Sequence, residues 1–187
     1  MSEPNLTAVD KFIKDTVCKG IVDRYMSFQI LSERDLQCHI FAMLYTYFQK
    51  TQDKLELLNI LTEPYLKEFG KKKPDIMIFR HSKPWIVLEL KKRGSKLKLR
   101  TAEHQRDRLL SMHNKFPTLK RGYLLYISKK GAGKVILGPK KDGKYYFYEI
   151  PILMSAHIDG MDKEELANWE KQYKYWKKYS RGNIYPV

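Results

Sequence analysis

Residues 71–93 read KKKPDIMIFRHSKPWIVLELKKR, and this stretch decides the fold. Two apolar runs of strand length, IMIF and WIVLEL, are separated by the turn-like RHSKP, which predicts a β-hairpin. Alternate side chains of a strand share a face, so Glu89 and Lys91 are expected beside Val87 and Trp85. Ile86, Leu88 and Leu90 then face the other way, toward a core. Asp75 opens the partner run, close enough across the hairpin to meet Glu89. Two carboxylates and a lysine therefore converge at one end of a sheet. Such a group can hold a hard divalent cation through oxygen and set an ammonium beside it.

Pro74-Asp75, a spacer and Glu89-Leu90-Lys91 on a hairpin resemble the PD-(D/E)XK nuclease superfamily. The resemblance implies a metal-dependent phosphodiesterase on an α/β, restriction-endonuclease-like αβββαβ core, with Mg2+ or Mn2+ as cofactor. It makes Asp75 and Glu89 metal ligands, with the Leu90 carbonyl as a third. It gives Lys91 the placing of the attacking water and the stabilisation of developing charge. Two neighbouring carboxylates favour an ammonium, so an orienting lysine is expected rather than a general base. Members often carry a glutamate on the helix before the sheet. Glu33 is the first candidate, since it shares a stripe with Leu36 and Ile40 at i, i+3, i+7; Glu63 and Asp35 compete with it. Asp35 has its own explanation, because Ser32 and Asp35 form a capping-box pattern. The superfamily also places a polar residue on the helix after the hairpin, which points to Gln105, with Glu103 and Arg106 as neighbours. Glu33-Arg34 opening a helix makes the layout most similar to archaeal Holliday-junction resolvases and related archaeal or viral nucleases. That likeness implies work in DNA repair or recombination and leaves pairing of two copies open.

The remaining chain fits one domain over 1–187, with a core at about 30–150. Helices are expected at about 5–25, on SERDLQCHIFAMLYTYFQK (32–50), on AEHQRDRLLSMHNKF (102–116) and at about 162–179, where Asp162 is the cap. LLNILTEPYLKEF (57–69) reads as a first strand leading into the hairpin. RGYLLYISKK, KVILG and KYYFYEI read as later strands, the last two joined by a turn at Asp142-Gly143. On the last helix Leu166, Trp169, Tyr173 and Trp176 form one stripe, expected to be core or a dimer contact. Tyr175 and Tyr179 stand among lysines and could stack on bases.

Charge narrows the partner. The chain has 36 Lys+Arg against 21 Asp+Glu, a formal +15, and this self-repulsion is relieved beside a polyanion. Nucleic acid, DNA first, is the expected partner; an anionic membrane surface or a merely solvated lysine-rich surface are the alternatives. Basic runs flank the hairpin: Lys71, Lys72 and Lys73 before it, then Lys92, Arg93, Lys96, Lys98 and Arg100 after it. These are expected phosphate contacts, with SKLKLR (95–100) as a strand or extended arm of one cationic face. No apolar run approaches the roughly 20 residues a bilayer span needs. The opening MSEPNLTAVDKF lacks the basic-then-apolar design of a signal peptide. Cys18 and Cys38 are too few for a disulfide scaffold, so an intracellular setting (cytoplasm, nucleoid, or a host cell for a viral protein) is expected. His81, His104 and His113 lack ligand spacing, and Gly131-Ala132-Gly133 precedes a strand, which argues against a P-loop. The competing reading is a DNA-binding or architectural protein without cleavage, on the same fold or on a winged-helix-like fold using the 133–150 hairpin.

Overall fold

The computed structural model describes residues 6–51, 58–67, 73–92, 99–128, 136–137, 146–153 and 161–179. They form a mixed α/β structure with helices on both faces of a six-stranded mixed sheet. Strands β1 (Leu58–Thr62), β2 (Ile76–Arg80) and β3 (Lys83–Lys92) run antiparallel in sequence. Strand β4 (Arg121–Ser128) adds parallel to β3, and β6 (Tyr146–Leu153) adds parallel to β4. The short β5 (Ile136–Leu137) closes the far edge against β6, giving the order β1-β2-β3-β4-β6-β5. Strands β5 and β6 of the 133–150 stretch are thus part of the sheet, while the expected turn at Asp142-Gly143 lies outside the described residues.

The N-terminal rod is α1 (Leu6–Lys11), a π-helical segment (Phe12–Val17) and α2 (Cys18–Met26). Its buried line, Val9, Ile13, Val17, Ile21 and Tyr25, repeats every four residues. At 100° per residue that repeat drifts forward by about 40° per step. The wider π turn drifts backward, so five apolar side chains stay on one line. Helix α3 (Glu33–Thr51) lies on the same sheet face through Leu36, Ile40, Leu44 and Phe48. Its start is the expected capping box: Asp35 Oδ2 accepts from the N–H groups of Leu31 (2.9 Å) and Ser32 (2.7 Å), and Ser32 Oγ accepts from Asp35 N–H (3.0 Å).

Helix α5 (Lys163–Tyr179) closes this layer. Asp162 caps it, accepting from Glu164 and Glu165 N–H at 2.8 Å each. Trp169 is its anchor, stacked on Phe28 and donating Nε1–H to the Met26 carbonyl at 3.0 Å. The expected stripe ends there and at Tyr173. Trp176 is 42% exposed, because by that turn the helix has outrun the layer it packs on.

The opposite face is covered by α4 (Leu99–Lys115), through Leu109 and Met112 against Met77, Phe79, Val87 and Leu124. Both faces of the central strands are therefore buried, which is why IMIF and WIVLEL read as continuous apolar runs. Three expectations shift here. First, Trp85 does not share the Glu89 face. Ile78 pairs with Ile86 but Phe79 pairs with Pro84, so Trp85 is the extra residue of a β-bulge. It turns to the other face, edge-on to Phe48 at 6.3 Å. Second, Leu99 and Arg100 are not part of an extended arm; they open α4. Third, the strand read over 57–69 ends at Thr62, where Glu63 takes φ 46° and Pro64 follows.

A buried polar knot pins α1 to the sheet. Asp10 accepts from Arg121 Nε (3.0 Å), from the Tyr148 hydroxyl (3.0 Å) and from the Tyr123 hydroxyl. Every oxygen has a donor, the condition under which a buried carboxylate is tolerated. Both cysteines are free thiols, Cys38 exposed and Cys18 half-buried, with the Cys18 thiol pushed up to about 12 by burial and then by Asp15. No helix among the described residues is long and apolar enough to cross a membrane.

Candidate active site

Strand β3 outruns β2. The β2 ladder starts with Ile76 opposite Leu88, while β3 continues to Lys92. Asp75 therefore stands just past the last rung, and its side chain completes the ladder: Oδ2 accepts the Leu90 N–H at 2.6 Å. The N–H and C=O of one strand residue face the same neighbour, so the Leu90 carbonyl is directed to the Asp75 side as well. The Asp75 backbone is held from two directions. Its carbonyl accepts Gln37 Nε2 at 2.6 Å from α3 and Glu63 N–H at 3.1 Å from the end of β1.

Lys91 reaches from β3 to the start of α3. Its Nζ lies 2.9 Å from Glu33 Oε1 and 3.8 Å from Asp75 Oδ2. Glu89, two residues back, is fully buried. Its Oε2 accepts Arg108 Nη1 from α4 at 3.0 Å, while its Oε1 is buried with no hydrogen-bond partner. Arg108 also donates to the Lys73 carbonyl, so one guanidinium ties α4, β3 and the approach to β2.

Electrostatics separates the carboxyls. Burial first and then Asp75 push the Glu89 carboxyl from 4.5 up to about 8, against Arg108 and Lys91. Burial also raises the Asp75 carboxyl, opposed first by the Leu90 N–H and then by Lys91. The arrangement is a compact, half-buried set of three carboxyls interleaved with two cations.

Glu33, Asp75, Glu89 and Lys91 are thus brought together as expected, with Leu90 beside them. Glu63 is not among them: it is exposed and paired with Arg34 at 3.1 Å. Asp35 is occupied by the capping box. Lys71, Lys72, Arg93, Lys96 and Lys98 lie outside the described residues, as do the side chains of Lys92, Arg100, Glu103, Gln105 and Arg106. Gln105 is placed in α4 one turn before Arg108. Lys73 is exposed at the rim. His81 sits in the hairpin turn as read, and His104 is exposed on α4.

Two residues were missed, Gln37 and Arg108. Both left a signal. Each is a polar residue beside an apolar stripe, Gln37 after Leu36 and Arg108 before Leu109 and one turn from Met112.

Does this set suit a hard cation? Among the described residues no three His, Cys, Asp or Glu side chains gather as a ready metal cluster. The cause is local: Lys91 stands between Glu33 and Asp75, and Arg108 holds one oxygen of Glu89. The donors themselves fit, being two carboxylates and a carbonyl, the hard oxygens that magnesium takes while keeping several waters. The orphaned Glu89 Oε1 is the atom a cation would satisfy.

No family profile and no curated protein matches the chain. Among solved structures, the chain is similar in part to the refined half-complex from the tetradecameric assembly of Thermococcus gammatolerans McrB AAA+ hexamers with bound McrC. Its TM-score is 0.34 at 15% identity, over 73% of this chain and 32% of that one. This chain spans about a third of that neighbour, and a likeness at this level carries no argument about fold or function.

Proposed function

We propose that the chain is a Mg2+- or Mn2+-dependent nuclease that hydrolyses phosphodiester bonds in DNA, on a restriction-endonuclease-like core. One observation carries the reading: Asp75, Glu89, Lys91 and Glu33 meet where β3 outruns β2. The order α3-β1-β2-β3-α4-β4 agrees with the αβββαβ expectation. The +15 charge suits a polyanionic substrate.

In this reading Asp75, Glu89 and the Leu90 carbonyl would hold the cation. That ion supplies Lewis-acid polarisation of the phosphate and a lowered pKa for water. The chain's own groups do the rest. Gln37 and the Glu63 N–H fix the Asp75 backbone, so the carboxylate is preorganised. Arg108 fixes one Glu89 oxygen and leaves the other available. Lys91 presents an ammonium where the phosphate gains negative charge, an interaction stronger in the transition state than in the ground state. Glu33 orients that ammonium at 2.9 Å.

A second reading has its own observation. Arg108 and Lys91 already neutralise the carboxylates, as they would in a DNA-binding protein of the same fold that does not cleave. A divalent-ion-dependent cleavage assay over single strand, duplex, flap and four-way junction separates the two. Cleavage with Mg2+ or Mn2+ that EDTA stops and Asp75→Ala abolishes is the expected result. Binding without cleavage on every substrate would favour the second reading.

A further inference from the structure

The turn that ends β1 also borders the candidate site. Glu63 takes φ 46°, in the left-handed region, and Pro64 follows with φ set by its ring, so the chain leaves the strand direction at once. Within this turn the Glu63 N–H donates to the Asp75 carbonyl at 3.1 Å. Two residues on, Tyr65 is 68% exposed, the most exposed large apolar side chain among the described residues. Two residues span at most about 7 Å, so the Tyr65 backbone is held within that distance of the residue that touches Asp75.

The Tyr65 backbone is anchored on both sides. Pro64 is buried, and Leu66 packs against the cluster that includes Met77 and Leu109. These neighbours fill the layer, and the Tyr65 ring is left in solvent on a fixed stem. Single exposed apolar side chains are common. This one is set apart by its anchored stem and by its place beside the carboxyls. Glu63 and Lys67 flank it, both exposed and charged. That setting suits a base, apolar on its face and polar at its edge, better than the wide apolar area of a protein contact. Cations share the rim. Arg34, exposed on the first turn of α3, meets Glu63 Oε1 and Gln37 Oε1 at 3.1 Å each, and Lys73 is exposed on the approach to Asp75. Aromatic rings among cations are how proteins hold a single strand.

In a duplex each base is covered on both faces by its neighbours, so a side chain reaches a base face only where the base is out of the stack. We infer that Tyr65 stacks on an unpaired base next to the phosphate at the Asp75–Glu89 cluster, which makes the substrate a DNA strand that is single or locally unpaired at the cut. The inference rests on the nuclease reading for the place of that phosphate.

Fluorescence anisotropy of the full chain in EDTA, which stops cleavage, tests the contact. The probes are a labelled single strand, a blunt duplex of the same sequence and a flap. Tyr65→Ala is expected to weaken single-strand and flap binding about tenfold, within the range of base–aromatic stacking, and to leave duplex binding unchanged. Tyr65→Phe keeps the ring and should bind like the parent. A single strand carrying 2-aminopurine should be quenched more by the parent and by Tyr65→Phe than by Tyr65→Ala. Unchanged thermal melts would show that the variants fold. Cleavage in Mg2+ keeps the two readings apart. If Asp75→Ala abolishes cleavage while Tyr65→Ala binds and cuts the single strand as the parent does, the stacking inference falls and the nuclease reading stands. If Tyr65→Ala loses single-strand binding but no protein cleaves, the nuclease reading falls, and with it the placing of Tyr65 at a cut. An equal loss on single strand and duplex, a Tyr65→Phe as weak as Tyr65→Ala, or a parent that binds no single strand also overturns the inference.

Discussion

Replacing Glu89 by glutamine should stabilise the metal-free protein, and by an amount that depends on pH. Glu89 is fully buried, and its carboxyl titrates near 8 in the fold against 4.5 when unperturbed. Between those values the unfolded chain has released the proton and the fold still holds it. Fewer protons are bound in the unfolded state, so stability falls as pH rises across this window. At about 1.36 kcal/mol per pH unit, the span from 4.5 to about 8 amounts to on the order of 5 kcal/mol. Near pH 7.5 most of that is already lost. An amide mimics the protonated acid, still accepts from Arg108 and cannot ionise. Allowing for imperfect mimicry, a gain of about 2–4 kcal/mol is expected for Glu89→Gln at pH 7.5, shrinking to near zero at pH 4.5.

The assay is urea unfolding of both proteins in EDTA at half-unit intervals from pH 4.5 to 9. Only the difference between the curves matters, because titrating groups that do not interact with Glu89 cancel in it. Magnesium adds a check of the opposite sign. A cation bound at Glu89 favours the ionised carboxylate, so Mg2+ should raise the parental stability more than that of the variant. Parallel curves at all pH values would refute the burial argument. A pH-dependent gap with no differential effect of Mg2+ would leave the buried acid but remove it from the metal site.

Lys91→Ala should lower the single-turnover cleavage rate with little change in DNA affinity, and Lys91→Arg should rescue only weakly because its planar fork differs in geometry. If both variants cut at the parental rate and differ only in affinity, Lys91 is a phosphate anchor. DNA affinity should fall with salt at a slope of roughly −0.9 per phosphate neutralised, and removing Lys96, Lys98 and Arg100 together should flatten it; an unchanged slope places the DNA surface elsewhere. Asp10→Ala leaves the buried Arg121 without its carboxylate and should cost about 3–5 kcal/mol in urea unfolding; a loss under 1 kcal/mol would make the knot dispensable.

What the sequence disclosed and what it withheld divide along physical lines. The hairpin, the β3 carboxylate–lysine pair and both helix caps depend on local spacing, and residues 71–93 and Ser32–Asp35 carry that spacing within a few positions. Trp85 was misplaced because a bulge adds a residue without marking it; period-two counting from Glu89 fails at Ile78 and Phe79, where the register slips. Glu33 was legible because the first turn of α3 happens to end beside β3. Arg108 and Gln37 were not singled out because their partners lie 19 and 38 residues away, and a polar residue beside an apolar stripe is a weak local sign that names no partner. Yet they explain how the carboxyls coexist. Asp75 raises the affinity of Glu89 for protons, and burial raises that of both. Left alone, such a pair would protonate rather than stay ready for a cation. Arg108 on one side and Lys91 on the other oppose that, at the cost of occupying part of the space a cation would use. On the proposed reading, a divalent ion would compete with Lys91 and Arg108 for the carboxyl oxygens. The pH and magnesium dependence of Glu89→Gln measures the balance between them.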